Sequence, residues 1–194
     1  MKYKEYDKYK SKQIERAESK WGRHEPYESQ FKAHLRDMWK QVSPTVGKPD
    51  TICCMGVRSG TELFEFRDYC PDAEIWGTDI TENIKTIKND DDKIHIVLQD
   101  FNNLPDNWEN KFDLVFSNSL DHAFDPKETL KEWTRVTKPG GFIMLELSTH
   151  LETNIEHSFR GIELARFIGK QHEISKVTLY PDRQSLLALV EVHK

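Results

Sequence analysis

Along the first part of the chain, apolar residues recur at helical spacing. From Tyr3 to Lys20 the sequence is highly charged, with Tyr3, Tyr6 and Tyr9 three residues apart, which predicts a helix. Gly22 and Pro26 break it. A second helix is predicted from about Glu28 to Val42, with Phe31, Leu35, Met38, Trp39 and Val42 on one face. Ser43-Pro44 and Gly47-Lys48-Pro49 then read as a loop.

Beyond Pro49 short apolar runs alternate with helical segments. Thr51 to Met55, Glu74 to Asp79, Lys93 to Leu98, Phe112 to Ser117 and Phe142 to Leu147 are predicted strands. Thr61 to Tyr69 predicts a helix, and Thr81 to Lys88 a short one capped near Thr81. Asn89 to Asp92 reads as a solvated turn. Asp125 caps a further helix, and Pro126 sits in its first turn. Its apolar face is Leu130, Trp133 and Val136, and Pro139-Gly140-Gly141 is expected to end it. Gly161 to Gln171 predicts a last helix. His172 to Tyr180 and Ser185 to His193 predict an antiparallel hairpin turning at Pro181 to Gln184. This alternation implies an α/β fold with a mostly parallel sheet and helices on both faces.

Composition narrows the class. A chain of 194 residues fits one domain and buries a core without staples. Charged residues make up 31% but are mixed in sign, which fits a folded domain with a solvated surface. The net charge of -5 disfavours a large nucleic acid as partner. Residues 1–40 run against that balance, with 11 Lys or Arg against 7 Asp or Glu. That segment is either a solvated helical extension or a contact for something anionic. Three cysteines without a spacing pattern argue against disulfides or zinc and for a reduced, cytoplasmic location. The N-terminus has no apolar signal region, and no apolar run approaches the roughly 18 residues of a membrane span.

In open α/β sheets ligands sit beyond the carboxyl ends of the strands. The first strand is followed by Gly56-Val57-Arg58-Ser59-Gly60, the second ends at Asp79, the third at Asp100, and the fourth leads into Asn118 to His122. A glycine loop lets backbone approach a ligand, and the following helix offers free N–H groups. Asp79, 23 residues past Gly56, is placed to accept ribose hydroxyls, although a plain turn with a helix-capping Asp has the same appearance. Arg58 stands where the dinucleotide pattern G-x-G-x-x-G has its middle glycine, which disfavours a nicotinamide dehydrogenase. Arg58 is suited to a single carboxylate. Its structural alternative is an ion pair with Glu62, four residues on.

Thr51 to Gly60, Gly77 to Asp79, Gln99-Asp100, Phe112 to His122 and Lys138 to Gly141 together resemble the ordered motifs of class I S-adenosylmethionine-dependent methyltransferases. The resemblance covers residues from about 50 to 194. It implies a Rossmann-like, seven-stranded, mostly parallel sheet with a C-terminal antiparallel hairpin. Residues 50–194 would form the cofactor-binding domain. Residues 1–49 would form a helical extension, with Trp21, Tyr27, Phe31 and Trp39 in the core or in a lid. The cofactor implied is S-adenosyl-L-methionine. Gly56, Val57, Arg58, Gly60 and Thr61 match the loop around its methionine part. Asp79 and Ile80 match the ribose site, Asp100 and Phe101 the adenine site, and Asn118 and Ser119 the neighbourhood of the methionine ammonium group. Two departures stand out: Cys54 replaces a frequent acidic residue, and Arg58 replaces a glycine.

For a hydroxyl acceptor, a base contributes roughly 10²–10⁴-fold. Asp121 and His122 are the candidates, with a turn cap and a packing residue as their structural alternatives. The fourth-strand segment lacks a Pro-Pro-aromatic step, and no Pro-Cys pair occurs, so neither amino-methylating nor cytosine C5 DNA enzymes are suggested. The expected acceptor is a small metabolite or saccharide, handled by a monomer or homodimer. The alternatives are an inactive cofactor-binding scaffold and a methyltransferase acting on nucleic acid or protein. No metal site is expected.

Overall fold

The structure, a computed structural model, describes residues 2–19, 25–148, 173–180 and 185–193. Two helices lead, α1 (Lys2–Ser19) and α2 (Glu25–Val46). Then follow β1 (Thr51–Met55), α3 (Thr61–Tyr69), β2 (Glu74–Asp79), β3 (Ile94–Leu98), β4 (Phe112–Ser117), α4 (Pro126–Val136) and β5 (Thr137–Ser148). The strands β6 (Glu173–Tyr180) and β7 (Ser185–Glu191) close the chain. The sheet order is β3-β2-β1-β4-β5-β7-β6. Strands β1 to β5 pair in parallel, and β7 runs antiparallel to both β5 and β6. This is a Rossmann-like α/β fold with a mostly parallel sheet and a C-terminal antiparallel hairpin. Strand order reverses between β1 and β4, and a crevice opens there at the carboxyl edge.

Alternation along the strands builds two cores. In β1, Cys53 and Met55 face one layer, while Ile52 and Cys54 face the other. The first layer joins the sheet to Leu130, Trp133 and Val136 of α4. The second joins it to Leu35, Met38 and Val42 of α2 and to Leu63 and Phe66 of α3. All three cysteines are buried and reduced, and burial pushes each thiol upward.

Several boundaries differ from the sequence reading. Helix α2 begins at Glu25 and continues through Pro44 to Val46. Pro26 falls in its first turn, where a missing N–H costs nothing. Pro44 gives up one hydrogen bond near the end, but Val42 and Val46 pack on the core and Gly47 N–H closes the terminus on the Ser43 carbonyl at 2.9 Å. The expected helix from Thr81 to Lys88 is one 3-10 segment, Glu82–Thr86. Helix α4 ends at Thr137, whose extended backbone starts β5 and whose hydroxyl donates to the Trp133 carbonyl at 2.7 Å. The Pro-Gly-Gly run therefore lies inside β5, where the register against β4 shifts between Phe112 and Leu114. The break at Gly22, the helix Gly161 to Gln171 and the turn Pro181 to Gln184 lie outside the described residues.

Candidate active site

The loop after β1 is folded over the end of β2. Gly56 and Val57 both donate backbone N–H groups to the Thr78 carbonyl, at 2.8 and 3.0 Å. Gly56 has φ 77°, and a Cβ there would lie 3.1 Å from the Ser119 side chain and 3.3 Å from the Phe101 ring. A side chain at Gly56 would therefore fill the gap between the ends of β1, β3 and β4. Arg58 is also left-handed, at φ 47°, and its N–H donates to Asp79 Oδ2 at 2.9 Å. The other Asp79 oxygen accepts from the Thr81 N–H and hydroxyl, each at 2.9 Å. Asp79 thus caps the turn that follows it while holding the glycine loop.

Asp100 sits beyond β3 with both oxygens engaged. Oδ1 accepts from the Asn102 N–H and side-chain amide, at 3.0 and 2.8 Å. Oδ2 accepts from the Tyr6 hydroxyl at 2.5 Å and faces the Lys10 ammonium at 3.3 Å. Burial alone would raise this carboxyl, but the Tyr6 and Asn102 hydrogen bonds and the Lys10 charge outweigh it and hold it below the usual range. Phe101 is fixed by Trp133, which donates its indole N–H to the Phe101 carbonyl at 3.0 Å and packs edge-on against the ring. Asn102 is held in turn by the Thr129 hydroxyl at 2.7 Å.

Beyond β4, Ser117 donates to the Met55 carbonyl at 3.0 Å and so ties β4 to β1. Its oxygen accepts the Ser119 N–H at 3.0 Å, and the Ser119 hydroxyl donates to Asn118 Oδ1 at 3.0 Å. A 3-10 turn, Leu120–His122, follows. Tyr9 donates to the His122 carbonyl at 2.7 Å, and burial together with the nearby Asp121 charge pushes its phenol up to about 12. Asp121 and His122 approach only to 4.0 Å, so they form no tight dyad.

These segments surround one cavity of about 250 Å³. Of the residues singled out from sequence, Gly56, Val57, Arg58, Thr61, Asp79 and Ile80 line it, as do Asp100, Phe101, Asn118, Ser119 and His122. Gly60 caps α3 and Asp121 lies beside Tyr9; neither is part of the lining. The sequence reading missed the far wall. Tyr6, Tyr9, Lys10, Gln13 and Arg16 of α1 face the cavity, with Glu28 and Phe31 of α2 beside them. The tyrosine spacing and the i, i+3, i+4, i+7 pattern through Gln13 were the available signal. Phe31 is at the wall, whereas Trp39 stacks on Tyr69 in the core. Trp21, His24, His150 and His157 lie outside the described residues, as does the side chain of Tyr27; His34 is buried and bonded to Glu146 at 2.8 Å.

Glu62, in the first turn of α3, also lines the cavity. It is 5% exposed, and burial with the Asp79 and Glu28 charges pushes its carboxyl up to about 8. The ion pair with Arg58 open at the sequence level does not form among the described residues. Among those residues no cluster of His, Cys, Asp or Glu has a metal-holding arrangement, and no helix is long and apolar enough to cross a membrane.

The fold is shared with solved methyltransferase structures that hold S-adenosylhomocysteine. Residues 53–145 match the profile of a family described as a methyltransferase domain. No curated protein matches the chain by sequence. Among solved structures, the N-methyltransferase NodS of Bradyrhizobium japonicum, in complex with S-adenosylhomocysteine, is similar, with a TM-score of 0.74 at 12% identity. The match covers 93% of this chain and 98% of that one. The 1,6-didemethyltoxoflavin-N1-methyltransferase of Burkholderia thailandensis, bound to 1,6-didemethyltoxoflavin and S-adenosylhomocysteine, gives a TM-score of 0.71 at 14% identity, over 98% and 90% of the two chains. A chain from the complex of the Haloferax volcanii Trm112 methyltransferase activator with a methyltransferase gives 0.70 at 18% identity, over 88% and 95%.

Proposed function

We propose that this enzyme transfers a methyl group from S-adenosylmethionine to a small-molecule acceptor, a metabolite or saccharide, held beneath α1. The observation that carries this reading is the meeting of the glycine loop, Asp79, Asp100 and Asn118-Ser119 around one cavity. The cofactor supplies a methyl group already activated on a sulfonium, so the chain's task is chiefly alignment, for which effective molarities of about 10⁵–10⁸ M are attainable.

The residues fit that cofactor. The left-handed loop clears side chains from the space between Gly56, Ser119 and Phe101. Asp79 Oδ2 has an acceptor site left for a ribose hydroxyl beside its bond from Arg58, while Oδ1 is taken up by Thr81. Asp100 and Phe101 are the adenine contacts, and Arg58 receives the carboxylate of the amino-acid end. Val57, Thr61 and Ile80 supply apolar and backbone wall. His122 is the base candidate at the acceptor side, since it lines the cavity. Asp121 acts through the turn and through Tyr9. Residues 1–49 serve as the lid, with Tyr6 and Tyr9 as its inner face. The Burkholderia neighbour, which holds 1,6-didemethyltoxoflavin, supports the acceptor class.

Thermal shift tests the cofactor assignment. S-adenosylhomocysteine should raise the melting temperature, NAD should not, and Asp79→Ala should abolish the shift. Methyl-labelled cofactor incubated with a size-fractionated cell extract tests the acceptor. Label is expected among small molecules; label confined to protein or nucleic acid would overturn that part of the reading.

A further inference from the structure

Glu62 is a carboxyl group enclosed with little to hold it. It is 5% exposed, lines the cavity, and receives a hydrogen bond only from its own backbone N–H among the described residues. The titratable groups facing it from neighbouring elements are Asp79 of β2, Glu28 of α2 and the Cys54 thiol of β1. Two of these are acidic and the third is a neutral, buried thiol. The enclosure thus holds an acid whose ionisation is opposed by burial and by the neighbouring acidic charges, with only its own backbone N–H favouring the anion, at the end of the cavity formed by the glycine loop. Below about pH 8 a carboxyl so placed is stable as an anion only when a cation arrives beside it. The cofactor carries such a cation, the ammonium group of its amino-acid end.

The position of Cys54 adds a second argument. It is where an acidic residue is frequent in the resembling family, and the Cys54 thiol feels the Glu62 charge directly. The carboxylate absent from β1 is therefore present in the same neighbourhood, supplied from the first turn of α3.

We propose that Glu62 is the counter-ion for the cofactor's ammonium group, and that it gives up its proton to solvent when the ligand enters. This rests on the cofactor reading above and goes beyond it by naming the residue and a protonation change. No covalent bond forms or breaks except the Glu62 O–H. Its proton passes to the buffer, and the carboxylate left behind pairs with the ammonium.

The sign of the pH dependence follows. Glu62 holds its proton in the free enzyme below about pH 8 and loses it in the complex, so affinity rises with pH up to about 8 and gains nothing from this residue above it. Titration calorimetry of S-adenosylhomocysteine, in buffers of different ionisation enthalpy, reads the proton count directly. At pH 7 the wild type should release about one proton per ligand, and at pH 9 almost none. Glu62→Gln, close in shape to the protonated acid, should bind with no release at pH 7. 5′-Methylthioadenosine, which lacks the ammonium group, should bind the wild type without release. Release undiminished in Glu62→Gln, or equal for the two ligands, would overturn the proposal. So would wild-type binding with no proton change at pH 7. Failure of the wild type to bind S-adenosylhomocysteine at all would instead overturn the cofactor reading on which it stands.

Discussion

Arg58 adopts a backbone conformation that disfavours every residue with a Cβ, at a cost of roughly 1–2 kcal/mol. A glycine would sit there without strain. Arg58→Gly should keep thermal stability within about 1 kcal/mol of wild type while weakening S-adenosylhomocysteine binding by tenfold or more. Equal affinity in calorimetry would show that the guanidinium has no part in binding. Arg58 is conspicuous in the sequence because it interrupts a glycine pattern. Glu62 is not. Four residues after an arginine on a helix, it looks like half of a surface ion pair. Its enclosure depends on Glu28 and Asp79 arriving from α2 and β2, and no local pattern carries that information.

The strands and the helices between them follow closely from alternation and caps. Strands β1, β2 and β4 and helix α3 have the boundaries their residues imply, because each apolar run packs into the core and stops at a polar or glycine residue or at a cap. Asp125 caps α4 as expected, accepting N–H groups from Lys127 and Glu128. Proline and glycine were the misleading residues, since their usual meaning was overridden by packing. Pro44 is carried inside α2 by Val42 and Val46. Gly141 lies in β5 where the backbone of β4 approaches too closely for a side chain, and Gly140 before it takes a left-handed φ of 75°. A Cβ on Gly141 would lie 2.9 Å from the Asp113 carbonyl and 3.0 Å from that of Lys138. Both obstacles are main chain and cannot rotate away. Gly141→Ala is therefore expected to lower stability by about 1–3 kcal/mol in urea unfolding, through a forced shift of β5. An unchanged midpoint would mean that the bulge absorbs the methyl group.

The molecule as a whole is more closed than its sheet implies. The motifs after β1 to β4 are readable as one rim, but α1 lies outside them, and nothing in residues 1–40 alone says where the helix docks. It docks on the rim itself. Tyr6 and Lys10 take two of the four contacts around Asp100, and Tyr6 and Tyr9 pack edge-on against Phe124. An adenine amino group seeking Asp100 must displace one of those donors. A hydrogen bond to a charged acceptor contributes about 1.5–3 kcal/mol. Tyr6→Phe should accordingly tighten S-adenosylhomocysteine binding by roughly tenfold, measured by calorimetry. Weaker binding would mean that the hydroxyl touches the ligand instead of competing with it.

The same occupied carboxylate bears on the order of events in turnover. In the proposed function, the helix that holds Asp100 and would have to loosen to admit the nucleoside is also the wall against which the acceptor would rest. An acceptor that arrived first would press α1 down and keep the nucleoside out. Steady-state kinetics should then be compulsory-ordered: donor on first, acceptor second, and the demethylated donor off last. Excess acceptor would act as a dead-end inhibitor, competitive with the donor.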